Sequence, residues 1–204
     1  MTSKRVNNSS TDDVMQWLSS LWSVFGLNTD LPKECNPLSS KQEEYLVSEG
    51  ISVPSDYCYI SGSGIYKLHE DLATWKEARS ICKSEGGRLA ILKSKEAADV
   101  LAQMFRNSDL MYEGDKPSKG VFLGFHDIDH EGEFVTIQGQ PLEETGFNEW
   151  SPEWDGQPDN GLVIGQSAKS QNCGALAYDG KLDDVGCSWK LGYVCEIPLR
   201  KKHS

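Results

Sequence analysis

The stretch "ATWKEARSICKSEGGRLAIL", residues 73–92, carries the signals of a helix, its end and a following strand. Apolar side chains recur at the spacing of one helical face. Together with the residue that precedes the stretch, this face comprises Leu72, Trp75, Ala78, Ile81 and Cys82. Gly86 and Gly87 supply the left-handed backbone that commonly ends a helix. The pattern therefore predicts an amphipathic helix, followed by the strand "RLAIL".

The segments on either side of this stretch predict a second helix and several short strands. Ser94 is a typical N-cap for the helix "KEAADVLAQMF", residues 95–105. Residues 138–172 show almost no regular pattern, which inside a domain is typical of a functional loop. The predicted strands are "YCYI" (57–60), "GIYKLHE" (64–70), "VFLGF" (121–125), "EFVTI" (133–137), "CGALAY" (173–178), "KLDDVGC" (181–187) and "LGYVCEI" (191–197). We predict an α+β domain with two early helices and strands around a long irregular region.

The charge and the cysteines of the 204-residue chain limit its partners and its compartment. A net charge of −11 disfavours binding to nucleic acid or to an anionic membrane. No apolar run is long enough to span a bilayer. The six cysteines are widely spread and contain no CxxC pair, which favours disulfides and an oxidising compartment. The first residues lack the apolar stretch of a signal peptide, so we expect a secreted protein whose leader is absent from this sequence.

The first 56 residues are predicted to form an N-terminal extension. Thr11 can cap an amphipathic helix over residues 12–26, and residues 28–56 are weakly patterned and are interpreted as a linker. Trp17 and Trp22 lie on the apolar face of this helix and need a partner surface. Packing onto the main domain and self-association are both compatible with this face, and we take the helix as the candidate for homo-oligomer formation. The C-terminal segment 198–204 is predicted to be a solvated basic tail.

Several motifs resemble the C-type lectin-like domain in order and spacing. They are "ATWKEARSICKSEGGRLAIL", "VFLGF", "QPD", "NC", "LDDVGC" and "YVCE", and the resemblance covers residues 57–197. The segments "YKLHEDLATWKEAR" and "GKLDDVGC" resemble those of the immune lectins of insect haemolymph, of the immulectin or lipopolysaccharide-binding type. The resemblance implies an α+β fold with two helices, small antiparallel sheets and a long irregular ligand loop. It also implies the disulfides Cys82–Cys195, Cys173–Cys187 and, as an additional N-terminal bridge, Cys35–Cys58.

The octet "WDGQPDNG", residues 154–161, concentrates polar side chains around a proline. Taken alone, it has the composition of a solvated turn. The resemblance instead implies a calcium ion that binds sugar hydroxyls directly, beside a cis-proline at Pro158. The residues that match the family's calcium and carbohydrate ligands are Gln157, Asp159, Gln171, Asp183 and Asp184. Calcium prefers 6–8 oxygen ligands and gains affinity from carboxylates, so these residue types suit it.

Two of these five positions depart from the family pattern. Gln171 stands where the family usually has Glu, and Asp183 where it usually has Asn. The loss of one carboxylate predicts weak calcium binding, in the range of extracellular modules. An auxiliary calcium site of the family would use Asp127 and Glu131, but its other positions, Asn160, Gln171 and Asn172, are all amides here. We therefore expect no second ion.

The sequence predicts a secreted, calcium-dependent carbohydrate-binding lectin that acts in innate immunity as a pattern-recognition protein. In the family, "QPD" suggests galactose-type ligands, and insect members suggest microbial surface glycans or lipopolysaccharide. Because single sites of this kind are weak, we expect avidity through oligomers. The alternative is a calcium-independent, protein-binding lectin-like domain, such as a venom or immune-modulating factor. No hydrolase, metalloprotease or nucleotide-binding motif is present, so we do not expect an enzyme.

Overall fold

The structure, a computed structural model, describes the greater part of the predicted domain. The described residues are 38–113, 116–117, 120–153, 156–161 and 170–198. The predicted helix 12–26, Cys35 and all but the first residue of the predicted tail lie outside them.

The described residues form helices and short strands in the order that the sequence predicts for an α+β domain. The helices are α1 (Ser40–Ser48), α2 (Trp75–Ser84) and α3 (Lys95–Arg106), with the 3₁₀ turns η1 (Asp109–Met111) and η2 (Leu142–Glu144). The strands are β1 (Cys58–Ile60), β2 (Gly64–Ala73), β3 (Arg88–Leu89), β4 (Tyr112–Glu113), β5 (Lys116–Pro117), β6 (Val121–His126), β7 (Val135–Thr136), β8 (Cys173–Leu176), β9 (Leu182–Val185) and β10 (Leu191–Ile197).

Helix α2 begins at a capping box that we did not predict and ends before Gly86, as we predicted. Thr74 and Glu77 form a capping box, in which each side chain accepts a hydrogen bond from the other residue's backbone N–H. At the other end, Gly86 has a φ of 84°, the left-handed conformation that a glycine adopts without strain. We predicted Leu72 on the helical face, and this prediction is wrong. Leu72 lies in β2 and its side chain is 57% exposed, because β2 continues through Ala73, which pairs with Leu191.

Helix α1 lies in the segment that we interpreted as a linker. It begins with a capping box formed by Ser39 and Gln42, and its Leu46 is buried in the same core cluster as α2. Leu46 is the one buried side chain of this helix. A single buried apolar residue does not produce the repeated spacing by which a helix is identified from sequence. Residues 40–48 are therefore packed against the domain rather than extended away from it.

The main sheet has the strand order β1-β2-β10-β6-β8-β9, with β3 beside β10 and β7 beside β6. The pairing of β10 with β6 is parallel, and the other pairs among the described strands are antiparallel, as expected. Both faces of β10 are covered: Tyr193 and Cys195 pack with α1 and α2, and Val194 packs with α3. This cover explains why all of β10 is buried, including the acid Glu196, whose carboxylate accepts a hydrogen bond from Arg88.

Two disulfides connect the described elements, and both are pairs that the resemblance implied. Cys82–Cys195 joins α2 to β10, and Cys173–Cys187 joins the start of β8 to the segment after β9. Cys58 is also disulfide-bonded, but its predicted partner Cys35 lies outside the described residues. Among the described residues, no helix has both the length and the apolarity needed to cross a membrane.

Candidate functional site

The carboxylate of Asp184 joins two segments that are distant in sequence. Its Oδ1 accepts a hydrogen bond from the backbone N–H of Asp159 at 2.9 Å, and its Oδ2 accepts one from that of Asn160 at 2.7 Å. Asp184 lies in β9, where it pairs with Gly174 of β8. The rigid sheet therefore fixes the position of residues 156–161, which we call the QPD turn.

Gln157 and Pro158 form the first half of the QPD turn. The peptide bond between them is cis, as the resemblance implied. The backbone N–H of Gln157 donates to the carbonyl of Ser151 at 2.8 Å, and Ser151 in turn donates its own N–H to Leu182 of β9. The side-chain Oε1 of Gln157 is buried and has no hydrogen-bond partner among the described residues. A buried amide oxygen without a partner is energetically costly, so this atom is available for a ligand.

Asp159, Asn160 and Gln171 complete a network of polar contacts around the turn. Asp159 Oδ1 accepts from the N–H of Gly161, and Asn160 Oδ1 accepts from the N–H of Gln171, at 2.7 and 2.8 Å. Asn160 has a φ of 47°, which asparagine tolerates better than most residues. The side-chain Nε2 of Gln171 donates to the backbone carbonyl of Asp184 at 2.9 Å. The turn, Gln171 and Asp184 are thus joined into one hydrogen-bonded unit.

The electrostatics of this unit favour a cation. Asp184 is only 1% exposed, and its burial raises the pKa of its carboxyl to about 6. The two backbone N–H donors act in the opposite direction and lower this pKa, whereas the charge of Asp159 raises it further. The unit thus contains two carboxylates that repel each other and a buried amide oxygen without a partner. These oxygen donors fit a hard cation such as calcium.

The two acids of β9 do not have equivalent positions. Asp183 is 2% exposed and pairs with Ala175, while its neighbour Asp184 pairs with Gly174. Because successive residues of a strand point to opposite faces, their side chains leave β9 on different sides. Asp184 is the acid whose carboxylate reaches the backbone of the QPD turn.

Donors of the protein bind the acids at the position of the auxiliary site. The side-chain amide of Asn172 donates to Asp127 Oδ1 at 3.1 Å and to Glu131 Oε2 at 3.3 Å. The N–H of Gly132 donates to the second oxygen of Asp127 at 2.8 Å. The amide of Asn172 thus bridges the two acids.

Ser151 was not predicted from the sequence as part of the site, and Asn160 was considered only for the auxiliary site. Ser151 connects the base of the turn to β9 through its backbone, and the type of a side chain does not indicate such a backbone contact. Asn160 positions Gln171 through its side-chain oxygen. Its place in an Asp-Asn-Gly turn was a usable signal, because asparagine accepts local backbone hydrogen bonds and adopts positive φ.

A comparison with known protein families identifies this arrangement. The family model of the lectin C-type domain matches residues 71–197. The chain belongs to the C-type lectin domain family. This family consists of binding proteins without enzymatic activity, so the chain is a binding module and not an enzyme.

Individual relatives agree with the family assignment. The chain is 40% identical to the hemolymph lipopolysaccharide-binding protein of Periplaneta americana, over 72% of this chain and 54% of the relative. It is 28% identical to collectin-11 of Danio rerio, over 66% of this chain and 43% of the relative. The chain therefore spans about half the length of the curated relatives that it matches.

A solved structure shows the same fold. The crystal structure of the cow C-type carbohydrate-recognition domain of CD23, in the presence of a GlcNAc2Man3 oligosaccharide, superposes with a TM-score of 0.55 at 26% identity. The match covers 74% of this chain and 98% of that domain. The C-type lectin fold predicted from the sequence is thereby confirmed.

Proposed function

We propose that this chain is a secreted lectin that binds microbial surface glycan, including lipopolysaccharide, through a calcium ion at the QPD turn. The observation that carries the proposal is the double hydrogen bond from the turn to the carboxylate of Asp184. This contact links the backbone of the turn to the carboxylate of Asp184. It supports a shared ion that Gln157, Asp159 and Asp184 would bind together. Gln171 completes the group through its contact with the carbonyl of Asp184.

Gln157, Asp159, Gln171 and Asp184 would hold the calcium, whereas Asp183, which the resemblance adds to the ligands, leaves β9 on the opposite side. Bound calcium supplies a positive centre that sugar hydroxyls can coordinate in place of water. The side chains of the turn orient those hydroxyls, since the same oxygen and amide groups can accept and donate hydrogen bonds. The unpartnered Oε1 of Gln157 supports this role, because a ligand or a sugar hydroxyl would satisfy it.

The names of the relatives support the ligand class. One of them is a lipopolysaccharide-binding protein of hemolymph, and the structurally similar domain of CD23 was crystallised in the presence of an oligosaccharide. A protein of hemolymph is extracellular, and the disulfides of this chain suit the same compartment. We extend the proposal to innate pattern recognition and to avidity through an oligomer formed by residues 12–26.

A second candidate function is a lectin-like domain that binds protein without calcium. One observation favours it: the turn is already closed by hydrogen bonds that need no ion, including the one from Gln171 Nε2. Among the described residues, only one trio of His, Cys, Asp and Glu side chains has its ligand atoms within 4.8 Å of one another. That trio, His69, Glu85 and Cys195, is not part of the turn.

Retention on glycan resins distinguishes the two functions. We expect the wild-type chain to be retained on galactose or lipopolysaccharide resin in millimolar calcium and to elute with EDTA. Asp184→Asn keeps the size of the side chain but replaces one acceptor oxygen by a donor, so it should abolish retention. Asp129→Asn, an exposed acid away from the turn, is the matched control and should be retained like the wild type.

Two outcomes would contradict the calcium proposal. Retention that EDTA does not reverse and that Asp184→Asn does not reduce would favour a calcium-independent site. Absence of retention on either resin, together with an unchanged melting temperature on addition of calcium, would favour the protein-binding function.

A further inference from the structure

A second concave surface lies outside the QPD turn, between the segment before β7 and the start of the long irregular region. This cavity has a volume of about 420 Å³. Its apolar wall is formed by Phe134, Leu142 and Trp150, and its polar wall by Glu133, Glu143 and Asn148. Small-molecule sites are concavities of this size that combine an apolar floor with a few polar groups.

The aromatic floor of the cavity is held rigidly. The rings of Phe134 and Trp150 have centroids 4.8 Å apart, and Phe125 contacts both rings edge-on at 5.9 and 5.8 Å. Gly174 leaves room for Phe125, since a Cβ at that position would lie 2.2 Å from its ring. Backbone pairing of Trp150 with Leu182 fixes the tryptophan further. An aromatic surface that does not rearrange can bind a ring or a cation at low entropic cost.

The polar wall is acidic and its side chains are free. Glu133, Glu143 and Asn148 are exposed, and none of the three side chains has a hydrogen-bond or ion-pair partner among the described residues. No basic residue is among the described residues that line the cavity. Two unpaired carboxylates over an aromatic floor attract a cation, both by charge and by the electron-rich ring face.

We propose that this cavity is a calcium-independent subsite for an amino sugar with a free, protonated amine. The ammonium lies between the carboxylates of Glu133 and Glu143, and the apolar face of the sugar ring stacks on Trp150. Asn148 supplies an amide donor and acceptor for ring hydroxyls. A simple alkylammonium would leave this amide unused, and a neutral sugar would leave two carboxylates without a counter-charge. The inference does not depend on calcium binding at the QPD turn.

The test is a titration of the full chain with glucosamine in the presence of EDTA, followed by two-dimensional NMR. We expect a dissociation constant on the order of 1 mM, since a single small ring makes few contacts. The largest shifts should fall on the amides of Glu133 and Glu143 and on the indole of Trp150. N-acetylglucosamine and galactose, which lack the charge, should bind about tenfold more weakly.

Variants locate the site and separate it from the QPD turn. Glu133→Gln with Glu143→Gln keeps the shape of two exposed side chains and should weaken glucosamine binding about tenfold. Glu144→Gln, a neighbouring exposed acid that does not line the cavity, is the matched control and should bind like the wild type. Asp184→Asn should also bind glucosamine normally, even though it loses calcium-dependent retention.

Three results would overturn the inference. The first is equal binding of glucosamine and N-acetylglucosamine, because the ammonium would then play no part. The second is a set of NMR shifts that maps away from Trp150. The third is tighter binding of a lysine-containing tripeptide than of glucosamine, which would identify a peptide site instead.

Discussion

Helix α2 and the QPD turn are stabilised by different kinds of contact. Trp75 of α2 is 4% exposed, and its indole N–H donates to the carbonyl of Leu123 at 2.8 Å within the core. The turn instead depends on hydrogen bonds to one carboxylate, that of Asp184, whose burial makes the charge costly. The position of the helix thus depends on the burial of apolar surface. The position of the turn depends on polar contacts, which the binding of an ion or a proton can change.

The largest expected effect is on the helix side of this comparison. Trp75→Ala removes a buried ring and leaves the carbonyl of Leu123 without its donor, so we expect a loss of about 3–5 kcal/mol in the free energy of unfolding. Urea denaturation followed by circular dichroism measures this loss. Leu72→Ala, at an exposed apolar position nearby, is the control and should change stability by less than about 0.5 kcal/mol. Equal losses in the two variants would show that the exposure of these side chains does not govern their contribution.

An intermediate effect is expected from pH on the calcium-free chain. The pKa of the Asp184 carboxyl is about 6 in the folded state and 3.8 in an unperturbed chain, so between these values the folded state binds more protons than the unfolded state. Its contribution to stability is therefore present below about pH 4 and decreases as pH rises to about 6, by up to roughly 3 kcal/mol. Urea denaturation at a series of pH values in EDTA measures the decrease.

Asp184→Asn is the control for this pH dependence. The amide does not titrate, so the variant should lack the part of the pH dependence of stability that belongs to Asp184. Burial also raises the pKa of the Glu196 carboxyl, but this group contributes equally to both proteins. Identical slopes in wild type and variant would contradict the assignment of the raised pKa to Asp184.

The smallest effect is expected at Gln171, where the resemblance implies a glutamate in most members of the family. Gln171→Glu removes the donor to the carbonyl of Asp184 and adds a negative charge, so stability in EDTA should fall by about 1–2 kcal/mol. Calcium should bind more tightly, by about tenfold, because a carboxylate replaces an amide. Calorimetric titration with calcium and melting curves in EDTA measure the two effects.

Gln171→Met separates the two causes at this position. It loses the same hydrogen bond without adding charge, so it should be destabilised in EDTA but should not bind calcium more tightly. A gain in calcium affinity in this variant would show that the amide of Gln171 blocks the ion rather than merely failing to attract it.

The pattern of apolar residues predicted most of the fold, and its failures have local causes. The helix cap Ser94 and the buried strand β6 are where the sequence predicts, because capping and burial depend on neighbouring residues. Leu72 was placed on the helix because its spacing fits helical and strand patterns alike, and the pairing of Ala73 with Leu191 decided between them. Helix α1 was not predicted, because a single buried residue does not produce a helical pattern of apolar residues.

The candidate site was predicted only through a resemblance, and its contacts were not. The residue types of the QPD turn are those of any solvated turn, so nothing local connects Asp159 to an acid 25 positions away. The cavity that Glu143 and Trp150 share with Phe134 exists only because Phe125, Trp150 and β9 come together in the folded sheet.

By itself, the sequence determined the positions of α2, α3 and the principal strands, because helix caps and hydrophobic periodicity act over a few residues. The tertiary structure alone decided that Asp184 binds the QPD turn, that Gln171 donates to it, and that two free acids face an aromatic floor. These contacts join residues that are far apart in the chain. Their geometry follows from the pairing of β8 with β9 and from burial on both sides of the sheet, which no local pattern encodes.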